Sequence, residues 1–201
     1  ANTANSGNLI GGSTAASRNV IANTSTTEGV SLIGSSNIVQ NNYIGINAAG
    51  TATLGPTSIQ SGVRITGPSN QLLNNVISGW AIGVNIEQAT AVGNVVKGNF
   101  IGTDRAGQFA IPNVTGILID AGASNNLIGG FTTSPGTGAG NVISGNSGRG
   151  IWDNFGATST IIRGNLVGLG ADGSLDLGNG TSGIQVNGLN TIIGGDDDDD
   201  G

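Results

Sequence analysis

A short motif recurs along this chain and limits what it can fold into. NVIAN (from Asn19), NYIG (Asn42), NVISG (Asn75), NFIG (Asn99), NVISGN (Asn141) and NLVG (Asn165) are versions of one pattern. Taking the second apolar residue of each as a marker gives Ile21, Ile44, Ile77, Ile101, Ile143 and Val167, spaced by 23, 33, 24, 42 and 24 residues. The base period is therefore 23 to 24, with insertions in alternate units. A fixed period of this size marks stacked repeats, each too small to bury its apolar face alone.

Two further elements complete every unit. Gly followed by Val or Ile comes second, at Gly29, Gly62, Gly83, Gly116, Gly150 and Gly183. A closing element follows, as NIVQ at Asn37, NQLL at Asn70, NVVK at Asn94, NNLI at Asn125, STIIR at Ser159 and NTII at Asn190. Three short strands per period, always in the same order, cannot alternate direction as hairpins do. They predict a coil whose equivalent strands stack about 4.8 Å apart into parallel sheets around a core of branched residues. The fold expected is all-β, a parallel β-solenoid of about six three-strand coils, roughly 29 Å long at that spacing. Asn19, Asn42, Asn75, Asn99, Asn141 and Asn165 should form an amide ladder along the axis. The Gly row should mark a second corner, where a positive φ or a close backbone approach is required.

Composition agrees with a coil. The 38 Gly and 25 Asn make up nearly a third of the 201 residues, and charged residues are only 9%. That mixture disfavours amphipathic, salt-bridged helices. With no Cys, Met or His, disulfides, Cys or His metal sites and any His base are excluded. The net charge is −6, and Asp196 to Asp200 carry five of those charges, leaving seven acids against six bases elsewhere. No basic stripe exists to hold phosphates, so nucleic acid is not an expected partner. No stretch reaches the roughly 20 apolar residues of a spanning helix. Residues 1–195 read as one β-helix domain and 196–201 as an acidic tail, on a chain that starts like a mature or excised piece.

GNFIGTDRAG, GILIDAGASNNLIGG and GNVISGNSGRGI resemble the right-handed parallel β-helix repeats of large secreted and surface proteins of bacteria and some archaea. The resemblance covers nearly all of residues 6 to 195. It implies an extracellular or cell-surface setting, and it leaves activity open, because that group spans pectin-cleaving enzymes, tailspikes and adhesins.

Insertions follow the first strand at Gly45 to Ser61, Gly102 to Thr115 and Gly168 to Ser182, and should form one ridge. A fourth, Gly129 to Gly140, leaves from another corner. Asp104, Asp172 and Asp176 in the ridge are candidate calcium ligands, with turn formation as the alternative. Asn23, Asn113 and Asn179 head glycosylation triplets. Counting from the Gly row places Glu87 and Asp120 at one outward position on neighbouring coils, with Arg64 two places earlier on the preceding coil. Such a pair can share a proton or bind a cation, and its separation suits a glycosidase. Asp153 falls in an inward register. The outward row of the second strands is Ser31, Arg64, Asn85, Leu118, Trp152 and Gln185, with no Thr array of an ice-binding face. Trp80 and Trp152 are candidate sugar platforms, against core packing. The expected function is a non-enzymatic structural or adhesive β-helix that self-associates end to end, is a segment of a larger surface protein, or contacts polysaccharide. The alternative is a carbohydrate-active enzyme or binding module using the outward carboxylates.

Overall fold

The computed structural model describes residues 5–22, 28–54 and 61–195. Asn23 and the acidic tail lie outside them. Among the described residues the only helical element is one 3-10 turn, Ala15–Ser17. Every coil adds one strand to each of three sheets, in the order expected, and all strand pairs within the sheets are parallel. The sheet of marker strands runs from Val20–Ile21 to Leu166–Val167 and has six strands. The second sheet runs from Val30–Leu32 to Ile184–Val186, also with six. The third runs from Leu9–Gly11 to Ile192–Ile193 and has seven. This is a parallel β-helix solenoid of about six coils.

The branched residues pile up by row. Ile44, Ile77, Ile101 and Ile143 from the marker sheet meet Val63, Val84, Ile117 and Ile151 from the second and Leu72, Val96, Ile128 and Ile162 from the third, all fully buried or nearly so. The second sheet adds a further inward row, Ile65, Ile86 and Ile119, and a core so filled leaves no room for polar backbone without partners, which the corners supply.

The predicted amide ladder is present. Each Asn donates its backbone N–H and its Nδ2 to Oδ1 of the Asn one coil on, from Asn19 through Asn42, Asn75, Asn99 and Asn141 to Asn165. A second ladder of the same kind joins Asn8, Asn37, Asn70, Asn94 and Asn126 at the start of the third sheet. Just before it runs a row in the left-handed region, with Ser36, Ser69, Gly93, Asn125, Ser159 and Asn190 at φ between 54° and 67°. The chain turns there into the strand, and Asn and Gly tolerate that φ best.

The Gly row answers to a different constraint. Gly29, Gly62, Gly83, Gly116 and Gly150 do not have positive φ. A Cβ on any of them would lie 2.5 to 2.8 Å from the carbonyl oxygen of the next Gly in the row. Of the two expectations for this corner, close approach is the one that holds.

The insertions after the marker strands form small hairpins, closed by antiparallel bridges Ile46–Thr53, Thr103–Ala110 and Leu169–Asp176. Although two coils apart, they touch: Arg105 N donates to Gly50 O at 2.9 Å and Ala171 N to Gly107 O at 2.8 Å. They can do so because the intervening short coils carry Ser-Gly at that point. Ser78 and Ser144 donate to Thr103 O and Leu169 O at 2.7 and 2.8 Å, and a side chain on Gly79 or Gly145 would strike Thr53 or Ala110. The alternation of long and short units in the sequence is thus the alternation of a covering hairpin and the coil it covers.

Candidate functional site

The register of the second sheet fixes which side chains share the outer face. Ser31, Arg64, Asn85, Leu118, Trp152 and Gln185 are successive partners, as counted from the Gly row. Glu87 and Asp120 also pair directly. Their carboxyls are not equivalent, however. Arg64 donates from Nε to Glu87 Oε1 at 2.6 Å and adds an Nη2 contact at 2.5 Å, while Asn85 Nδ2 takes Glu87 Oε2 at 2.9 Å. Glu28 lies 3.9 Å from Arg64 on the other side. Both oxygens of Glu87 are therefore engaged, and Asp120 Oδ1 accepts the N–H of Ala121 at 2.6 Å. Arg64, Glu87 and Asp120 meet on one face, and Arg64 binds one carboxylate of the pair instead of standing between the two.

Asp153 is inward, in the row Ile65, Ile86, Ile119, Asp153 and Val186, and wholly buried. Its Oδ1 accepts the hydroxyl of Thr160 at 2.9 Å and its Oδ2 that of Thr191. Those two Thr stand where the second Asn ladder would continue beyond Asn126, since the strands that follow are in register. A carboxylate from the second sheet thus satisfies the corner where the amides stop.

The remaining candidates fall into turns and ladders. Asp104 Oδ1 accepts from Gln108 N and Phe109 N at 2.8 and 3.0 Å. Asp172 Oδ1 accepts from Ser174 N and Leu175 N at 2.9 and 3.0 Å. The backbone N–H of Leu175, then that of Ser174, hold the Asp172 carboxyl below its ordinary value of 3.8, because they favour the charged form. Asp176 sits at the hairpin bridge to Leu169. Among the described residues no three acidic side chains gather into a metal-binding group. Asn113 and Asn179, which head glycosylation triplets, belong with Asn146 to a third ladder. Asn113 is fully buried, its Nδ2 donating to Ile77 O and Asn146 Oδ1, and Asn179 Nδ2 donates to Ile143 O. Sugar attachment at either nitrogen would break these bonds, so neither is a free acceptor in the fold.

The chain matches no family model, no curated protein and no solved structure. The site must therefore be read from its own chemistry.

The two tryptophans separate cleanly. Trp80 is 2% exposed and donates Nε1 to Ile44 O at 3.3 Å, so it is core and offers no sugar platform. A cleft of about 230 Å³ above it is lined by residues such as Thr53, Trp80, Ile111 and Val114, with no charged side chain. Trp152 is half-buried on the outer face. Arg149 stacks over its ring, 4.0 Å from the centroid, and Gln185 and Asn187 bond into the same cluster. Arg149 and Asn187 were not singled out from the sequence. Their offsets would have found them: Arg149 immediately precedes a Gly of the Gly row, and Asn187 lies two residues beyond Gln185 on the same face.

Proposed function

We propose that this protein is a non-enzymatic structural or adhesive β-helix of the cell surface or extracellular space, acting as a segment of a larger surface protein or associating end to end into filaments. One observation carries the reading: four of the acidic side chains, Glu87 of the outward pair among them, are already used by the scaffold. Glu87 is held by Arg64 and Asn85, Asp153 by two Thr hydroxyls, and Asp104 and Asp172 by turn N–H groups. Carboxylates so occupied build a rigid rod at the expense of proton transfer.

The ladders give the rod a polarity that suits axial stacking. Among the described residues Asn165 N finds no acceptor and Asn19 Oδ1 no donor, and these are the groups that meet when a copy follows in the same direction. Leu9, Val20, Ile192 and Ile193 are exposed at the two ends. Because the third sheet has one strand more than the others, Ile192–Ile193 of one copy and Leu9–Gly11 of the next compete for a single level, so the ladders meet only when one of these strands gives way to the other. Electron microscopy over a concentration series tests the assembly: filaments are expected, and short monodisperse rods at high concentration refute it. Incubation with acidic and neutral glycans tests the rest, since new reducing or unsaturated ends would overturn the non-enzymatic reading.

A further inference from the structure

The Arg149–Trp152–Gln185–Asn187 cluster leaves donors unpaired, whereas the Arg64–Glu87–Asn85 group on the same face leaves an acceptor, Asn85 Oδ1. Arg149 Nε donates to Gln185 Oε1 at 2.5 Å. Gln185 Nε2 donates to Asn187 Oδ1 at 3.0 Å, and Trp152 Nε1 reaches the same oxygen at 3.3 Å. Both side-chain acceptors of the cluster, Gln185 Oε1 and Asn187 Oδ1, are thus filled from within. The groups left with no partner at all are donors: the two Nη groups of Arg149 and Nδ2 of Asn187, for which the described residues supply no acceptor. No acid pairs with Arg149 among them either; the ion pairs of the described chain belong to Arg64. Arg18, by comparison, spends its guanidinium on Asn41 and Tyr43.

A guanidinium fixed by stacking and by its own Nε loses little entropy when its outer edge binds, and that edge matches a carboxylate bidentately. The indole beneath and Leu118, the register neighbour of Trp152, add half-buried apolar surface beside the fork. We propose that this cluster is a binding site for the carboxylate of an acidic glycan, held by Arg149 and Asn187 with its sugar ring against Trp152 and Leu118. A peptide added as a further strand does not suit the place, because the strand Ile151–Asp153 is paired on both edges, to Ile117–Ile119 and to Ile184–Val186. The site lies some distance along the face from Glu87 and its Arg64 partner, so it requires no catalytic group.

The inference rests on the adhesive side of the function proposed above and names its ligand. It is tested by calorimetry and by amide and side-chain NMR on the full chain, with a glucuronate-bearing hexasaccharide, its carboxyl-reduced neutral form, and a hexa-aspartate peptide as probes. The acidic sugar should bind at least about tenfold more tightly than the neutral one and weaken as salt rises. Shifts should centre on Trp152 Nε1 and the Arg149 side chain. Arg149→Lys, which keeps the charge and loses the fork, should weaken binding about tenfold, and Asn187→Asp should abolish it, while Arg64→Met leaves it unchanged. The shift map of the unaltered protein decides the matter even if a variant misfolds. Equal binding of the neutral sugar, tighter binding of the peptide, shifts centred elsewhere, or no binding at about 10 mM ligand would each overturn the site. Failure of binding leaves the structural reading standing, whereas a bound sugar recovered cleaved would sink the non-enzymatic reading and leave the site intact.

Discussion

Replacing Asn75 by Ala should cost far more than the same change at Asn19, although both residues occupy the same ladder. Asn75 is fully buried. Its Oδ1 accepts Asn42 N at 2.9 Å and Asn42 Nδ2 at 3.2 Å, and its Nδ2 donates to Val39 O at 2.8 Å and Asn99 Oδ1 at 3.0 Å. Truncation removes all four bonds. Asn42 Nδ2 keeps Ile10 O and Gln40 O, Asn99 Oδ1 keeps the backbone N–H of residue 75, and Val39 O keeps the sheet bond from Leu73 N that the register sets, so one group suffers most: Asn42 N. At roughly 1–3 kcal/mol for a buried group left without its partner, and about 1 kcal/mol for the other bonds lost, the loss is about 2–4 kcal/mol, a large share of a domain's stability. Asn19 is exposed and only donates to the ladder, so Asn19→Ala should cost less than about 1 kcal/mol. Asn75→Asp sharpens the test. It keeps the shape, but turns an oxygen toward Val39 O and Asn99 Oδ1, and burial raises the carboxyl pKa in the folded state above its unfolded value of about 3.9. A raised folded pKa means stability retained below the unfolded pKa and lost as pH rises through the folded one. At pH 7 this variant should therefore be less stable than Asn75→Ala, and it should recover toward pH 4. Urea unfolding followed by far-UV circular dichroism reads the midpoints at constant slope. Equal costs at positions 19 and 75, or an Asn75→Asp stability that is flat with pH, would show that the amide ladder is not what holds the corner.

Other consequences are as direct. Gly116→Ala puts a methyl group 2.5 Å from Gly150 O and should cost about 1–3 kcal/mol or more, whereas Gly173→Ala, in open space at φ +75°, should cost only the left-handed penalty of about 1–2 kcal/mol; thermal unfolding midpoints should rank them so. Asp153→Ala strips the acceptors from Thr160 and Thr191 and should loosen the last coil, seen as faster hydrogen exchange at Ile192 and Ile193 with the central coils unchanged. The Asp172 carboxyl should titrate below 3.8 by NMR, and because its folded pKa is depressed, the hairpin loses that support only as pH falls through it; a midpoint at or above 3.8 would refute the turn-cap role.

Much of the fold is legible in the residue order because a solenoid repeats its environment. The marker spacing, the ladder from Asn19 to Asn165 and the inward placement of Asp153 all follow from counting, since a residue one period on meets the same neighbours. Register also carries the outward row from Ser31 to Gln185 and the adjacency of Glu87 and Asp120. Counting fails where a side chain's role depends on a partner outside its own row. Trp80 and Trp152 differ because Trp80 follows the corner at Gly79 with its indole turned inward to Ile44 O, whereas Trp152 stands in the outward row of the second sheet. Asn113 and Asn179 look like sugar acceptors until the hairpins bring them into line with Asn146. The Gly row needs close approach instead of an unusual φ, which only the distance between successive corners decides. Arg149 acquires its place over Trp152, and its unpaired outer nitrogens, from Gln185 and Asn187 one coil away. The period is a property of the chain, and it sets the rod; hydrogen-bond direction and burial are properties of the stacked coils, and they decide which groups the scaffold consumes and which it leaves facing outward.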